Sequence, residues 1–178
     1  MPERGDLAVF VAHPCHPPIF NDEVEPAAKA DYFGGVAAKQ HVVRALMRGS
    51  QECLELGEDV ARRMYAPVMR LHRLTVEQMA ILEPVLSGTI GATCVAIVRE
   101  ATDEAVAPGV PEQAAHDFIL GHLNVLIAIQ FGMLPGAQLS DAAKKAVEHS
   151  KREVFMPDWK KVFEPAAFRE SIHTITHA

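Results

Sequence analysis

Aromatic residues make up only 6% of the 178 residues, so whatever core the chain builds is aliphatic. A core of Ala, Val, Ile, Leu and Met suits close helix packing better than a β sandwich. Cysteine is scarce as well: Cys15, Cys53 and Cys94 form an odd set without framework spacing, which excludes a disulfide-stapled scaffold. No signal-like apolar segment opens the chain, and the expectation is a cytoplasmic protein with reduced thiols. No run of Lys or Arg alternates with aromatics and the formal net charge is −6, so a nucleic-acid surface is excluded. The patterns GxGxxG, GxxxxGK, HExxH and GxSxG are all missing. Gly88-Thr89-Ile90-Gly91-Ala92 has two glycines but lies inside a helical pattern with no strand before it. The chain by itself is therefore not expected to bind a dinucleotide tightly.

What is present is 49% hydrophobic and 22% charged, the composition of a folded soluble protein of single-domain length. Residues 79–98 approach the length of a membrane span, with Glu83 as their only charge. Pro84, Ser87, Gly88, Thr89, Gly91 and Thr93 dilute that run and no aromatic belt flanks it, which favours a buried helix and no membrane.

Residues 7–12, LAVFVA, have strand length and end at His13-Pro14-Cys15-His16-Pro17-Pro18, whose prolines exclude helix interior. This strand has no evident ladder partner. Either it pairs with a second copy, or its sheet lies upstream of this sequence. From there the pattern is helical. Pro26 opens a helix over 26–47, Ser50 caps one to about 65, and Thr75 with Gln78 forms a capping box for one over 75–107. That third helix has about 32 residues, roughly 48 Å at 1.5 Å per residue, and Pro84 is expected to kink it. Pro111 opens another to Gly132, Ser140 caps one to about 154, and Pro165 starts the last, to about 175. The fold class is thus read as all-α, with two long buried helices after one short edge strand. Two successive helices apolar on almost every face exceed the interior of one chain of this size, so an intertwined homodimer is expected.

Gly34 and Gly35 stand next to each other inside the helical pattern, at a cost of about 1 kcal/mol each relative to Ala. Bare backbone is needed there, for a ligand or another helix. On a helix Asp31, Gly35 and Lys39 share a face, placing Lys39 to bind a carboxylate or act as a general base, unless it is a surface lysine beside a kink. His13, Cys15 and His16 offer imidazoles and a thiol on a stiff backbone that can orient a substrate, ligate a metal or serve as a rigid turn. Glu77 fits the positive end of a helix dipole. Glu83 lies in the apolar run, where a buried carboxylate needs a partner. His122 and Asn124 sit in the apolar fourth helix as core or substrate-facing groups. His173 and His177 are four apart near the terminus, and their metal-like spacing is read as adventitious.

Val11-Ala12-His13-Pro14-Cys15-His16-Pro17-Pro18, Phe33-Gly34-Gly35-Val36-Ala37-Ala38-Lys39-Gln40, the run from Thr75 to Pro84, Gly121-His122-Leu123-Asn124 and the run from Pro157 to Pro165 occur in that order. Together they resemble the C-terminal domain of a phosphogluconate-dehydrogenase-like family, in the β-hydroxyacid dehydrogenase group, that includes the D-apionate oxidoisomerases. The resemblance implies an NAD(P)-dependent oxidoreductase acting on a hydroxyl of a small anionic sugar acid, with isomerisation as a further step. It makes residues 1–20 the last strand and loop of a Rossmann domain absent from this sequence, which would hold NAD or NADP. Residues 21–178 become a helical substrate-binding and dimerisation domain, inactive alone. It casts Lys39 as acid/base, with His13, His16, Gly34, Gly35, His122 and Asn124 at the substrate. Asp31-Tyr32-Phe33-Gly34 also resembles a metal-binding helix of ketol-acid reductoisomerases. That pattern continues with Glu where this sequence has Gly35, which leaves Asp31, Glu77 and Glu83 as candidate ligands for a divalent metal. The alternative is a free-standing helical dimerisation module, which would need neither Lys39 nor the glycine pair.

Overall fold

The structure, a computed structural model, describes residues 7–16 and 25–176. The chain divides into two compact units, Met1–Leu82 and Glu83–Ala178.

The first unit contains a three-stranded mixed sheet, which corrects the all-α expectation. Strand β1 (Val9–Cys15) pairs antiparallel with β2 (Gln40–Arg48), and β2 pairs parallel with β3 (Val68–Arg73). The strand expected to lack a partner within this chain therefore has one. The helix expected over 26–47 is instead a single turn, α1 (Pro26–Lys29), followed by a loop and then β2. The physical reason lies at Gly34 and Gly35, whose φ of 78° and 88° no helix accommodates. Beyond them Val42, Val43 and Ala45 are buried between two neighbouring strands. A strand buried on both faces reads as a continuous apolar run, and periodicity alone does not separate such a run from a helix.

Helix α2 (Gln51–Met64) is capped by Ser50, whose hydroxyl accepts from Cys53 N at 3.4 Å. It crosses between the parallel strands β2 and β3 and packs on one sheet face, where Phe10 covers Gly57. A Cβ on Gly57 would lie 2.6 Å from the Phe10 ring, so a bare backbone is what lets helix and strand meet. On the same face Arg44, 1% exposed, pairs with Glu58, and Arg73 Nε reaches the same Glu58 oxygen at 2.7 Å. The Tyr65 hydroxyl donates to Ala12 O at 3.3 Å, tying the end of α2 to β1. Thr75 and Gln78 form the expected capping box at the start of α3 (Val76–Ala80).

A π-helical stretch, Ile81–Ala92, contains Pro84. The Thr89 hydroxyl donates to Pro84 O at 2.8 Å, five residues back. In the second unit α4 (Thr93–Val106) packs against α5 (Glu112–Gln130). They are followed by α6 (Asp141–Val154), capped by Ser140, a 3-10 turn (Trp159–Phe163) and α7 (Pro165–Thr176). The two long helices expected to be buried are not buried in this single chain. Over 76–130, only Val85, Thr102 and Ala128 are buried. Val76–Val106 is long and apolar enough to cross a membrane by length and composition, its most apolar 18-residue window having a mean hydropathy of 1.8.

Candidate functional site

The loop between α1 and β2 is built around one side chain. Asp31 Oδ1 accepts from Gly34 N at 3.0 Å, and Oδ2 accepts from Val36 N at 3.0 Å, Ala37 N at 2.8 Å and Ala38 N at 3.1 Å. The amides of Ala37 and Ala38 chiefly hold the Asp31 carboxyl below the usual aspartate range against the opposing effect of burial, with smaller help from those of Val36 and Gly34. The glycines supply the positive φ that wraps the chain round the carboxylate. A Cβ at Gly35 would lie 2.9 Å from Gln40 Nε2, and that amide donates to Tyr65 O at 2.8 Å while Gln40 N donates to Pro67 O at 3.0 Å. The bare backbone expected at the glycine pair is thus met by a protein side chain, at the point where β2 begins.

His16 closes on this loop from the end of β1. Its Nδ1 lies 3.1 Å from Phe33 O, and the two rings meet edge to face with centroids 5.4 Å apart. The structure therefore brings His16, Asp31, Gly34 and Gly35 together. Pro17 and Pro18 lie outside the described residues. Lys39 is exposed at the junction of loop and strand. It does not share a helical face with Asp31 and Gly35, because no helix runs through them.

His13 stands in β1 opposite Val43, and Cys15 opposite His41. Cross-strand partners share a sheet face, so this face carries His13, Cys15 and His41. Across the parallel pair it continues to Arg70 and His72. The His41 and His72 rings lie 5.8 Å apart, and His41 Nδ1 is enclosed without a hydrogen-bond partner. Burial, then the charges of Arg70 and His72, push the His41 imidazole below the ordinary range. His41, Arg70 and His72 were not singled out from sequence. The available signal was alternate-residue spacing in two short runs, which the helical reading of residues 26–47 obscured.

Glu77 sits in the first turn of α3, its carboxyl lowered by its own backbone N–H and by the Thr75 hydroxyl. Glu83 is exposed, so the buried carboxylate expected in the apolar run is not found. In the second unit His122 is also exposed rather than a core residue. It stacks on Phe118 with centroids 4.0 Å apart, and its Nδ1 is 2.7 Å from Phe118 O. Asn124, two residues on, is exposed too.

These residues do not fit a resident cofactor or metal. Asp31 and Glu77 are committed to backbone amides, and no three His, Cys, Asp or Glu side chains converge as metal ligands among the described residues. Gly34 and Gly35 lead into a strand, whereas a pyrophosphate cradle needs a glycine turn that opens a helix. Cys15, Cys53 and Cys94 are all unbridged.

Residues 21–176 match the family described as phosphogluconate dehydrogenase (decarboxylating), C-terminal. The D-apionate oxidoisomerase of Cupriavidus necator is 56% identical over 176 residues, and that of Rhizobium rhizogenes 54% identical over 176 residues. Each alignment covers 99% of this chain but only 63% and 64% of those relatives, so the chain spans less than two thirds of their length. A crystal structure of a semialdehyde dehydrogenase NAD-binding protein from Cupriavidus necator, in complex with calcium and NAD, superposes with a TM-score of 0.95 at 55% identity. It covers 98% of this chain and 63% of that one.

The Asp31 loop has a pH signature. The folded-state value is depressed, so the ionised carboxylate's contribution is present above the ordinary aspartate value of about 3.9 and is lost as pH falls through the lowered value. In amide hydrogen exchange, protection at Gly34, Val36, Ala37 and Ala38 should fall together on acidification below about pH 3.9. Protection that stays constant down to global unfolding would show that the carboxylate does not hold the loop.

Proposed function

The chain belongs to the family of phosphogluconate dehydrogenase (decarboxylating) C-terminal domains, and from that membership we propose that it is the substrate-side part of an oxidoreductase acting on a branched sugar acid of the D-apionate type. One observation carries this reading: identity of 56% and 54% to D-apionate oxidoisomerases across nearly the whole chain. In this reading the dinucleotide, NAD or NADP, is held by residues other than those described here. Support for a nicotinamide cofactor is the NAD in the related crystal structure. That protein also contains calcium, which keeps a divalent metal within the proposal for the whole enzyme.

The task of this chain is to bind and orient a hydroxy acid and to take a proton from it. Lys39, exposed beside the Asp31 loop, is the proposed proton acceptor. His13 and His16 orient the hydroxyls, and the loop backbone at Gly34 gives the substrate close approach, while Gly35 leaves room for the Gln40 side chain that seats the loop on β2. In a chain extended to the full length of its relatives, Lys39→Met keeps similar volume without the ammonium. Its kcat should fall by about 10²–10⁴-fold, the usual effect of losing a general base. Near-normal kcat with only a raised KM would make Lys39 a carboxylate clamp instead.

The second unit is proposed to join two copies of the chain. Val95, Phe118 and Leu120 on α4 and α5 are each about two-thirds exposed, at 69%, 67% and 65%. The cleft between these helices, about 420 Å³ and lined by residues such as Val98, Ala105, Val110 and Ile119, is also apolar. Such surface is costly to leave in water, and a second copy offers the same apolar helices in return. Light scattering should give a dimer at micromolar concentration, and Leu120→Glu should shift it to monomer. A monomeric wild type that floats with lipid vesicles would instead assign Val76–Val106 to a membrane.

A further inference from the structure

A carbonyl oxygen has no proton to give, so the 3.1 Å contact between His16 Nδ1 and Phe33 O requires the proton to sit on Nδ1. In the neutral ring the remaining lone pair then lies on Nε2. The Phe33 carbonyl is not a loose acceptor. The next residue, Gly34, begins the turn whose amides at 34, 36, 37 and 38 are bound by Asp31, and Gly34 N also reaches Asp31 O at 3.3 Å. The Phe33 backbone thus lies within the turn closed by Asp31, and its exposed side chain meets the imidazole edge to face.

We propose that Asp31 is a positioning residue: by closing the 31–38 loop it aims the Phe33 carbonyl at His16, which fixes His16 as the Nδ1–H tautomer and leaves Nε2 as a hydrogen-bond acceptor for a substrate hydroxyl. The substrate role of Nε2 rests on the sugar-acid reading above; the tautomer and its dependence on Asp31 do not. The hydrogen bonds of the Asp31 carboxylate go to the loop amides and not to His16. Asp31 acts through the backbone. A polyol acid presents hydroxyl donors, and an imidazole held with an unprotonated Nε2 selects them over groups that only accept.

The tautomer is read directly from two-bond proton–nitrogen correlations of the 15N-labelled chain, recorded at about pH 8, above the ordinary histidine value. Wild-type His16 should show a protonated Nδ1 and an unprotonated Nε2. In Asp31→Asn an NH₂ group replaces one acceptor oxygen and the loop amides lose their common partner. The His16 split should then collapse to a mixture of tautomers, while the His41 and His72 signals stay in place as a check on the fold. Phe33→Ala keeps the carbonyl and removes the ring, so the wild-type tautomer should survive it. An Nε2–H tautomer in the wild type overturns the proposal even if Asp31→Asn does not fold. An unchanged tautomer in folded Asp31→Asn, or its loss in Phe33→Ala, overturns it equally. No substrate enters this experiment, so failure of the sugar-acid reading would appear elsewhere, in turnover, and not here.

Discussion

Four backbone N–H groups converging on the Asp31 carboxylate are the constraint on which the candidate site depends. Backbone amides in a loop have no ladder or helix partner of their own, and here four of them fall within reach of one acceptor. One ionised side chain meets that need, and the two glycines let the chain curl tightly enough for it to do so. Because the loop is closed there, Gln40 can enter β2 with both its backbone and its side chain bonded to the 65–67 segment. The closed loop also presents the Phe33 carbonyl to His16. Fold and chemistry therefore share one local arrangement.

Sequence signals that act over three or four residues were legible. Ser50, Thr75 with Gln78, and Ser140 cap the helices they were expected to cap, since a cap depends only on the first turn. Signals that depend on distant partners were not. Gln40–Arg48 becomes a strand because β1 and β3 flank it, and in isolation its Val, Ala and Leu suit a helix as well. Val68–Arg73 has too few apolar residues to announce a strand, and its place comes from the parallel ladder to β2. For the site, the glycine pair and His16 were visible as chemistry in the chain. The shared helical face of Asp31 and Lys39 was an artefact of the wrong period. The face carrying His41, Arg70 and His72 needed the sheet register to be seen at all.

The exposed aliphatic surface of α4 and α5 and the incomplete span of the relatives lead to one conclusion. Each unit carries features that a lone chain of this composition does not use: a closed, histidine-bearing loop in the first and a wide apolar face in the second. Within the proposed function both have a use, one toward a sugar acid and one toward a second copy. Within the proposed function the described residues supply binding and proton handling, while their glycines serve a loop and helices rather than a phosphate cradle.

The most direct test is calorimetric titration of NAD and NADP into this 178-residue chain and into a version extended to the full length of its relatives. Neither dinucleotide should give saturable heat with the shorter chain, and the longer one should give a saturable binding curve. Tight dinucleotide binding by the shorter chain would contradict this, because a nucleotide site would then exist among residues assigned here to substrate and assembly.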